Sequence, residues 1–499
     1  MQRFDLYLNM TKPGEKLILS YSDTNAKGEG ISPAYLIGSI RSLYPKLEIE
    51  GGAGVRPHKN SINNYCYPEN PEAGIDLFLE KLVQETEKEH EDILEQADET
   101  DAMFGELYSW YLRNPEYRSR VQKLVQSAFA GKPEDIISQS VAKALYGEVS
   151  PYSATRLERF AACAFAHFLQ YGMKLTERVE YEFKPMDMGN VMHEALESFA
   201  EEVRKRGMKW TELTEQERNE IADRCLDNIV ADYGNTVLKS SARNEYMIER
   251  TRRILRRTVW ALQKQLEQGE FQPEGFEVTF GGGRIDRVDI MEDQNKVYVK
   301  VIDYKTGNTS FDLVYLYHGL QLQLMIYLDG ALRVEQKKYP DKEIIPAGVF
   351  YYNIKDPMIQ EKIDADVEAV SAGLMKELKM NGLVQADPEL VYRMDSSLGS
   401  IPVAFNKDGS FRKNSSVADR TQFAVLGRYV RTKIEKIRSS ILEGDAEVSP
   451  YELGKKNACT YCPYMTVCGF DRRLSGYEFR RLKNFSDEEL WKAFDREAE

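Results

Sequence analysis

The chain has 499 residues, 42% apolar and 29% charged, with a formal net charge of −13. That length exceeds one ordinary core, so two or three domains are expected of a composition that is globular rather than disordered or fibrous. No apolar run reaches a membrane span and no export signal is legible; the acidic balance excludes a generally basic nucleic-acid-binding surface and leaves DNA contact to local patches or bound cations.

Residues 4–22, FDLYLNMTKPGEKLILSYS, predict a short helix followed by a strand. From Gly74 to about Phe129 two or three connecting helices follow, around the acidic run FLEKLVQETEKEHEDILEQADE, whose charge describes a solvated face. Gly, Pro and Asp in GKPEDIIS at 131–138 mark a boundary. Helices are then expected over 153–171, 188–206, 214–233 and 242–268. His193, in MGNVMHEALESF, sits at the edge of the apolar stripe of Met192, Leu196, Phe199 and Ala200. It is either a hydrogen-bonded histidine at a core edge or an imidazole ligand. Arg250, Arg253 and Arg257 form a helical stripe with Arg252 and Arg256 beside it, suited to DNA phosphates or to a salt-bridged face.

Two β-branched runs, Gly283–Ile290 and Val297–Lys305, flank Met-Glu-Asp-Gln-Asn and predict a hairpin. Alternation puts Asp286, Val288 and Ile290 on one face of the first strand, and Val297, Val299, Val301, Asp303 and Lys305 on one face of the second. Carboxylates and an ammonium at the end of an apolar face need partners. A buried Asp–Lys ion pair satisfies that need. So does a divalent metal between the aspartates, an arrangement able to hydrolyse a phosphodiester with Lys305 offsetting the developing charge. In HGLQLQLMIYLDGAL, a helix expected at 318–334 places Gln323 and Tyr327 one turn apart, beside Leu320, Leu324 and Leu328. They are packing residues with satisfied polar tips, or hydrogen-bond partners of the lysine, a water or a phosphate. A strand at 346–353 and further helices follow.

Six cysteines without an export signal point to a reducing cytoplasm and to thiolate ligation rather than disulfides. Cys459, Cys462 and Cys468 make C-x2-C-x5-C, and Cys163 is the candidate fourth ligand. Closing that loop of about 300 residues costs on the order of 5 kcal/mol, which thiolate–metal bonding of roughly 10 kcal/mol offsets. Spacing leaves zinc and [4Fe–4S] both open. Cys66 and Cys225 have no partner motif.

In this order, Gly189-x-x-x-His193, Gly283-Arg-Ile-Asp286, Asp303-Tyr304-Lys305 and Gln323-Leu-x-x-Tyr327 resemble the motifs of the RecB-type PD-(D/E)XK nucleases. The resemblance implies an α/β fold with a mixed sheet flanked by helices and one active site. Asp286, Asp303, His193 and the Tyr304 carbonyl would hold Mg²⁺ or Mn²⁺, Lys305 would position the attacking water, and Glu277 in FEVTF is a further acidic ligand. A wider similarity runs through TKPGEKLILSYS, ATRLERF…C, GRIDRVDI, DYKTG, QLQLMIYLDGAL, PAGVFYYNI and CTYCPYMTVCGFD to the AddB family, the nuclease-bearing subunits of AddA–AddB helicase–nucleases. It implies a [4Fe–4S] staple on Cys163, Cys459, Cys462 and Cys468. It also implies an AddA-like helicase–nuclease subunit as partner in a heterodimer, which would deliver single strands from duplex ends, cut here on the 5′-ended strand, in double-strand break repair by homologous recombination. Two departures stand out: Ala164 where the family usually has Pro, and the short VTFGGG between Glu277 and Arg284.

The first residues resemble the end of a superfamily 1 helicase motor, with Lys12 in the place of its arginine. No G-x-x-x-x-G-K-[ST] occurs, so no P-loop and no unwinding by this chain are expected. The domains expected are a motor remnant at 1–73, a helical connector at 74–138 and the nuclease at 139–499, the C-terminal part of a larger protein. The competing reading is a catalytically degenerate scaffold that binds DNA or a partner and is held by structural zinc.

Overall fold

In the computed structural model, the residues described are 2–19, 21, 34–47, 70–87, 99–128, 136–147, 153–176, 185–232, 241–281, 283–359, 366–474 and 476–498. Cys66, residues 131–135 of the expected boundary and residues 88–98 of the acidic run lie outside them. The chain divides into two compact units, Met1–Lys81 with Gln96–Val121 and Leu82–Glu95 with Gln122–Glu499.

The first unit is helical among its described residues. Phe78 stacks on Phe104 at 4.7 Å and on Tyr108 at 5.6 Å, and the Tyr111 hydroxyl donates to the Pro71 carbonyl at 2.6 Å. The helix expected near the start forms as Gln2–Thr11. The strand expected after it does not form: residues 12–19 pair with no strand among the described residues, and Leu17, Ile18 and Leu19 are exposed. An apolar run becomes a strand only where a neighbour takes up its backbone hydrogen bonds.

The second unit is built on a six-stranded sheet in the order β1 (Gln272–Phe280), β2 (Gly283–Glu292), β3 (Lys296–Lys305), β4 (Glu343–Asn353), β5 (Asn381–Gln385) and β6 (Val417–Ala418). The pairs β1–β2, β2–β3 and β4–β5 are antiparallel, whereas β3–β4 and β5–β6 are parallel. The sheet is therefore mixed, as the motifs imply. The helices that position the site or flank the sheet include α1 (Ala154–Ala162), α2 (Pro185–Lys205), α3 (Glu215–Asp232), α4 (Ala242–Glu267), α5 (Gln323–Lys338) and α6 (Arg420–Glu443). Parallel β3 and β4 need a crossover, and α5 lies within it.

Strand alternation sorts the two faces. Val288, Ile290, Val297, Val299 and Val301 pack with Leu324 and Leu328 of α5 and with Leu426 and Val430 of α6. Met291, Ile302, Tyr304 and Phe350 share a second core with Met192 of α2, Leu226 of α3 and Leu255 of α4. Two expected helices are shorter than their apolar pattern. The one over 153–171 breaks at Cys163, which is extended (φ −166°, ψ 118°), and the one over 318–334 begins only at Gln323. Gly319, at φ +78°, supplies the left-handed turn ahead of it.

Candidate active site

Strands β1, β2 and β3 bring three acids together, Glu277, Asp286 and Asp303. Between the paired positions Phe276–Arg287 and Val278–Ile285, Glu277 falls opposite Asp286 and takes φ +49°. A non-glycine residue in that region is strained by about 1–3 kcal/mol, and such strain gathers at functional sites. Asp286 Oδ2 accepts from the Tyr304 backbone N–H at 2.7 Å and lies 3.3 Å from His193 Nδ1. Ligand atoms of His193, Glu277 and Asp286 all lie within 4.8 Å of one another. His193 projects from α2, whose apolar stripe of Met192, Leu196 and Phe199 is buried in the second core.

Asp303 is 1% exposed and lies on the same strand two residues before Lys305, whose Nζ is 2.6 Å from Asp303 Oδ2. One side chain of α5 ties the pair together. Gln323 Oε1 accepts from Lys305 Nζ at 2.8 Å, and its Nε2 donates to Asp303 Oδ1 and to the Tyr327 hydroxyl, each at 2.9 Å. The Lys305 ammonium also lies 5.5 Å from the centre of the Tyr351 ring.

Burial and the charge of Asp286 push both Asp303 and Glu277 up to about 7. Burial opposes protonation of His193, but the Asp286 hydrogen bond and the charges of Asp286, Asp303 and Glu277 outweigh it and raise its pKa. Arg284 pairs with Glu277 at the exposed rim. Carboxylates crowded this closely, with one imidazole, form a hard, oxygen-rich donor set. A divalent cation such as Mg²⁺ or Mn²⁺ fits it.

The structure thus gathers His193, Asp286, Asp303, Tyr304, Lys305, Gln323 and Tyr327 around the end of the hairpin. Two features lay outside the motif reading. Glu158 of α1 accepts from the backbone N–H groups of Leu322 and Gln323 at 2.7 and 2.9 Å. Its signal was a carboxylate beside the buried positions Ala154, Leu157 and Ala161. On the opposite face, Asp289 is fully buried between Arg287 at 2.5 Å and Lys300 at 2.9 Å. Their shared strand parity signalled that cluster.

Cys163, Cys459, Cys462 and Cys468 line one apolar cavity with Phe165, Val448 and Tyr464. Burial and the nearby thiols of Cys163, Cys462 and Cys468 push Cys459 up to about 12. Four sulfurs without a carboxylate or imidazole fit a tetrahedral zinc or a [4Fe–4S] cluster equally. Cys225 is buried in the second core, remote from these in sequence.

The arginine stripe lies along α4. Arg252 pairs with Asp227 at 2.7 Å, Arg256 pairs with Asp223, and Arg253 lies 2.7 Å from Asp356. Arg250 is exposed and Arg257 half-buried, with no ion pair among the described residues.

Residues 151–469 match the family model of the PD-(D/E)XK nuclease superfamily. The whole chain is 39% identical over 523 residues to a protein of Lachnoclostridium phytofermentans named as a subunit of an ATP-dependent helicase/deoxyribonuclease, covering 43% of that protein. It is 32% identical over 525 residues to the like-named protein of Alkaliphilus metalliredigens and 30% identical over 521 residues to that of a Thermoanaerobacter species, covering 44% of each. The chain spans less than half the length of these relatives.

Proposed function

Because the chain belongs to the PD-(D/E)XK nuclease superfamily, we propose that it is the nuclease part of a helicase–nuclease subunit and hydrolyses phosphodiester bonds of single DNA strands. The observation that carries this reading is the Asp303–Lys305–Gln323 triad beside the His193–Asp286–Glu277 cluster.

His193, Asp286, Asp303 and the Tyr304 carbonyl would hold the cation, with Glu277 as a further ligand. When bound, it supplies a Lewis acid for the phosphate and lowers the pKa of water. Lys305 offsets the negative charge that develops on the phosphate and orients the attacking water, and Gln323 keeps its ammonium against Asp303. Tyr327, hydrogen-bonded to Gln323, presents a hydroxyl to the same space. Arg250, Arg253 and Arg257 are the proposed contacts to DNA phosphates, with Arg253 exchanging its Asp356 partner for them.

The relatives' naming as a helicase/deoxyribonuclease subunit supports a partner subunit, and the resemblance to the AddB family makes that partner an AddA-like helicase–nuclease subunit, supplying the strand in a heterodimer. The 5′-ended strand, homologous recombination as the setting, a cytoplasmic location and a [4Fe–4S] cluster on the four cysteines complete the proposal. An Mg²⁺-dependent single-strand cleavage assay with Asp303→Ala tests it, on the chain co-purified with its partner. Cleavage is expected to vanish while the melting curve is kept; cleavage by the variant at the parent rate would refute the reading.

A further inference from the structure

Helix α5 begins at Gln323 after Leu322, an N-cap residue whose apolar side chain makes no capping hydrogen bond. The first backbone N–H groups of a helix lack partners within it and normally find them in a nearby polar side chain. Here both come to Glu158, from a segment more than 160 residues earlier: Oε1 accepts from Leu322 N at 2.7 Å and from Gln323 N at 2.9 Å. The arrangement is an unfavourable way to cap a helix for stability alone. Burial lifts the carboxyl to about 7 against the pull of those two amides and of Lys305, and the charge of Asp303 adds to the lift. Leu322 is itself fully buried and cannot reach these donors with its own side chain, so the carboxylate is brought in from α1.

What the anchor holds is the residue that organises the site. The Gln323 side chain serves Lys305, Asp303 and Tyr327 at once, at 2.8, 2.9 and 2.9 Å. An amide serves three partners only if its own backbone cannot shift. At its other end, α1 closes on Cys163, five residues beyond Glu158, where the thiol joins the four-cysteine cavity.

We infer that Glu158 is a positioning residue of the nuclease: it fixes the start of α5, sets Lys305 and Asp303 through Gln323, and links the cysteine site to the catalytic site through one helix. This rests on the nuclease reading above.

The test compares Glu158→Ala and Glu158→Gln with the parent, each also in a Gln323→Ala background. In Glu158→Ala, hydrogen exchange of the peptide containing Leu322 and Gln323 is expected to quicken about tenfold or more, since a charge-assisted bond is lost. The kcat for single-strand cleavage should fall at least about tenfold with KM within about twofold, because the loss concerns the transition state rather than DNA binding. Glu158→Gln keeps an oxygen acceptor and should recover most of kcat. Adding Glu158→Ala to Gln323→Ala should cost nothing further, the signature of two residues acting through one path. If the alanine variant does not fold, Glu158→Asp, one methylene short, replaces it with the same expectations.

Unchanged exchange or kcat in Glu158→Ala, failure of Glu158→Gln to exceed it, or multiplying losses in the double variant would overturn the inference. The two readings fail differently. Cleavage that survives Asp303→Ala removes the nuclease reading and this one with it. Cleavage that Asp303→Ala abolishes and Glu158→Ala leaves intact removes only the role of Glu158.

Discussion

Lys305 stands between two demands. Its ammonium neutralises a carboxylate that is 1% exposed, yet its own side chain keeps 28% of its surface open toward the space where a phosphate would sit. In the proposed reaction Asp303 would hold a cation, whereas Lys305 would meet charge that appears only in the transition state. Lys305→Met should therefore lower cleavage by about 10²–10³, the scale of losing one preorganised electrostatic group, while calorimetry still detects Mn²⁺ binding. Loss of Mn²⁺ binding in that variant would instead make Lys305 part of the cation site. A second residue speaks to pH. His167 is fully buried, accepts from Arg156 Nε at 3.1 Å, and is driven down to about 3 by burial and then by the Arg156 charge. The sign follows. Below the ordinary value of 6.5 the unfolded chain takes up a proton that the folded chain refuses, so this contribution is complete above pH 6.5 and is lost as pH falls toward about 3. The loss runs at about 1.4 kcal/mol per pH unit. His167→Gln keeps an acceptor and does not titrate, so its stability should fall less steeply than the parent's between about pH 6 and 4.5 in denaturant titrations. Parallel slopes would exclude His167 as the acid-sensitive group.

At the scale of elements, the site hangs on β3, and β3 is held by its parallel neighbour β4. Strand β4 pairs with β5 through Gly382, where a Cβ would stand 1.9 Å from the Val349 carbonyl oxygen and 2.8 Å from the Phe350 Cα. Backbone cannot yield as a side-chain tip can, so Gly382→Ala should destabilise the second unit by about 2–4 kcal/mol, measured by denaturant unfolding. A loss under about 0.5 kcal/mol would show that the β4–β5 pairing can part without consequence. The hairpin and α5 were legible because each has its own period. Alternation sorted Asp286, Asp303 and Lys305 onto one face, and a one-turn spacing put Gln323 above Tyr327. What spacing could not carry was contact between distant segments. Glu158 reaches Gln323 across more than 160 residues, and no local pattern encodes that. The early start expected for α5 and the strand expected near residue 17 failed for the complementary reason. Apolar periodicity marks which residues want burial, while Gly319 and, near residue 17, the lack of a paired strand among the described residues decide the backbone.

At the largest scale, the C-terminal segment of the second unit returns to helix α1 through a small sheet, β7 (Tyr451–Leu453), β8 (Lys456–Asn457) and β9 (Arg480–Arg481). The thiols of Cys459, Cys462 and Cys468 meet Cys163 there, but they do not act alone. Arg480 donates to the Ala161 carbonyl, the Phe165 N–H donates to the Glu447 carbonyl at 2.9 Å, and the Tyr464 hydroxyl donates to the Leu175 carbonyl at 3.0 Å. Closing a loop of about 300 residues costs on the order of 5 kcal/mol. Three hydrogen bonds at about 1 kcal/mol each act beside the packing of Ala154, Leu157 and Ala161 against Leu426 and Phe494, and a ligated cysteine site, as proposed above, would add to them. If the proposed site is ligated, Cys163→Ala should lose the iron or zinc and lower the melting temperature by several degrees, with the remaining contacts keeping the folded fraction able to cleave. Elemental analysis separates the ligand readings: iron with sulfide and absorbance near roughly 400 nm for a cluster, zinc in a colourless protein for a tetrahedral site. Native melting behaviour after Cys163→Ala would mean that the loop is closed without the thiolates, and the staple would have no thermodynamic role in this fold.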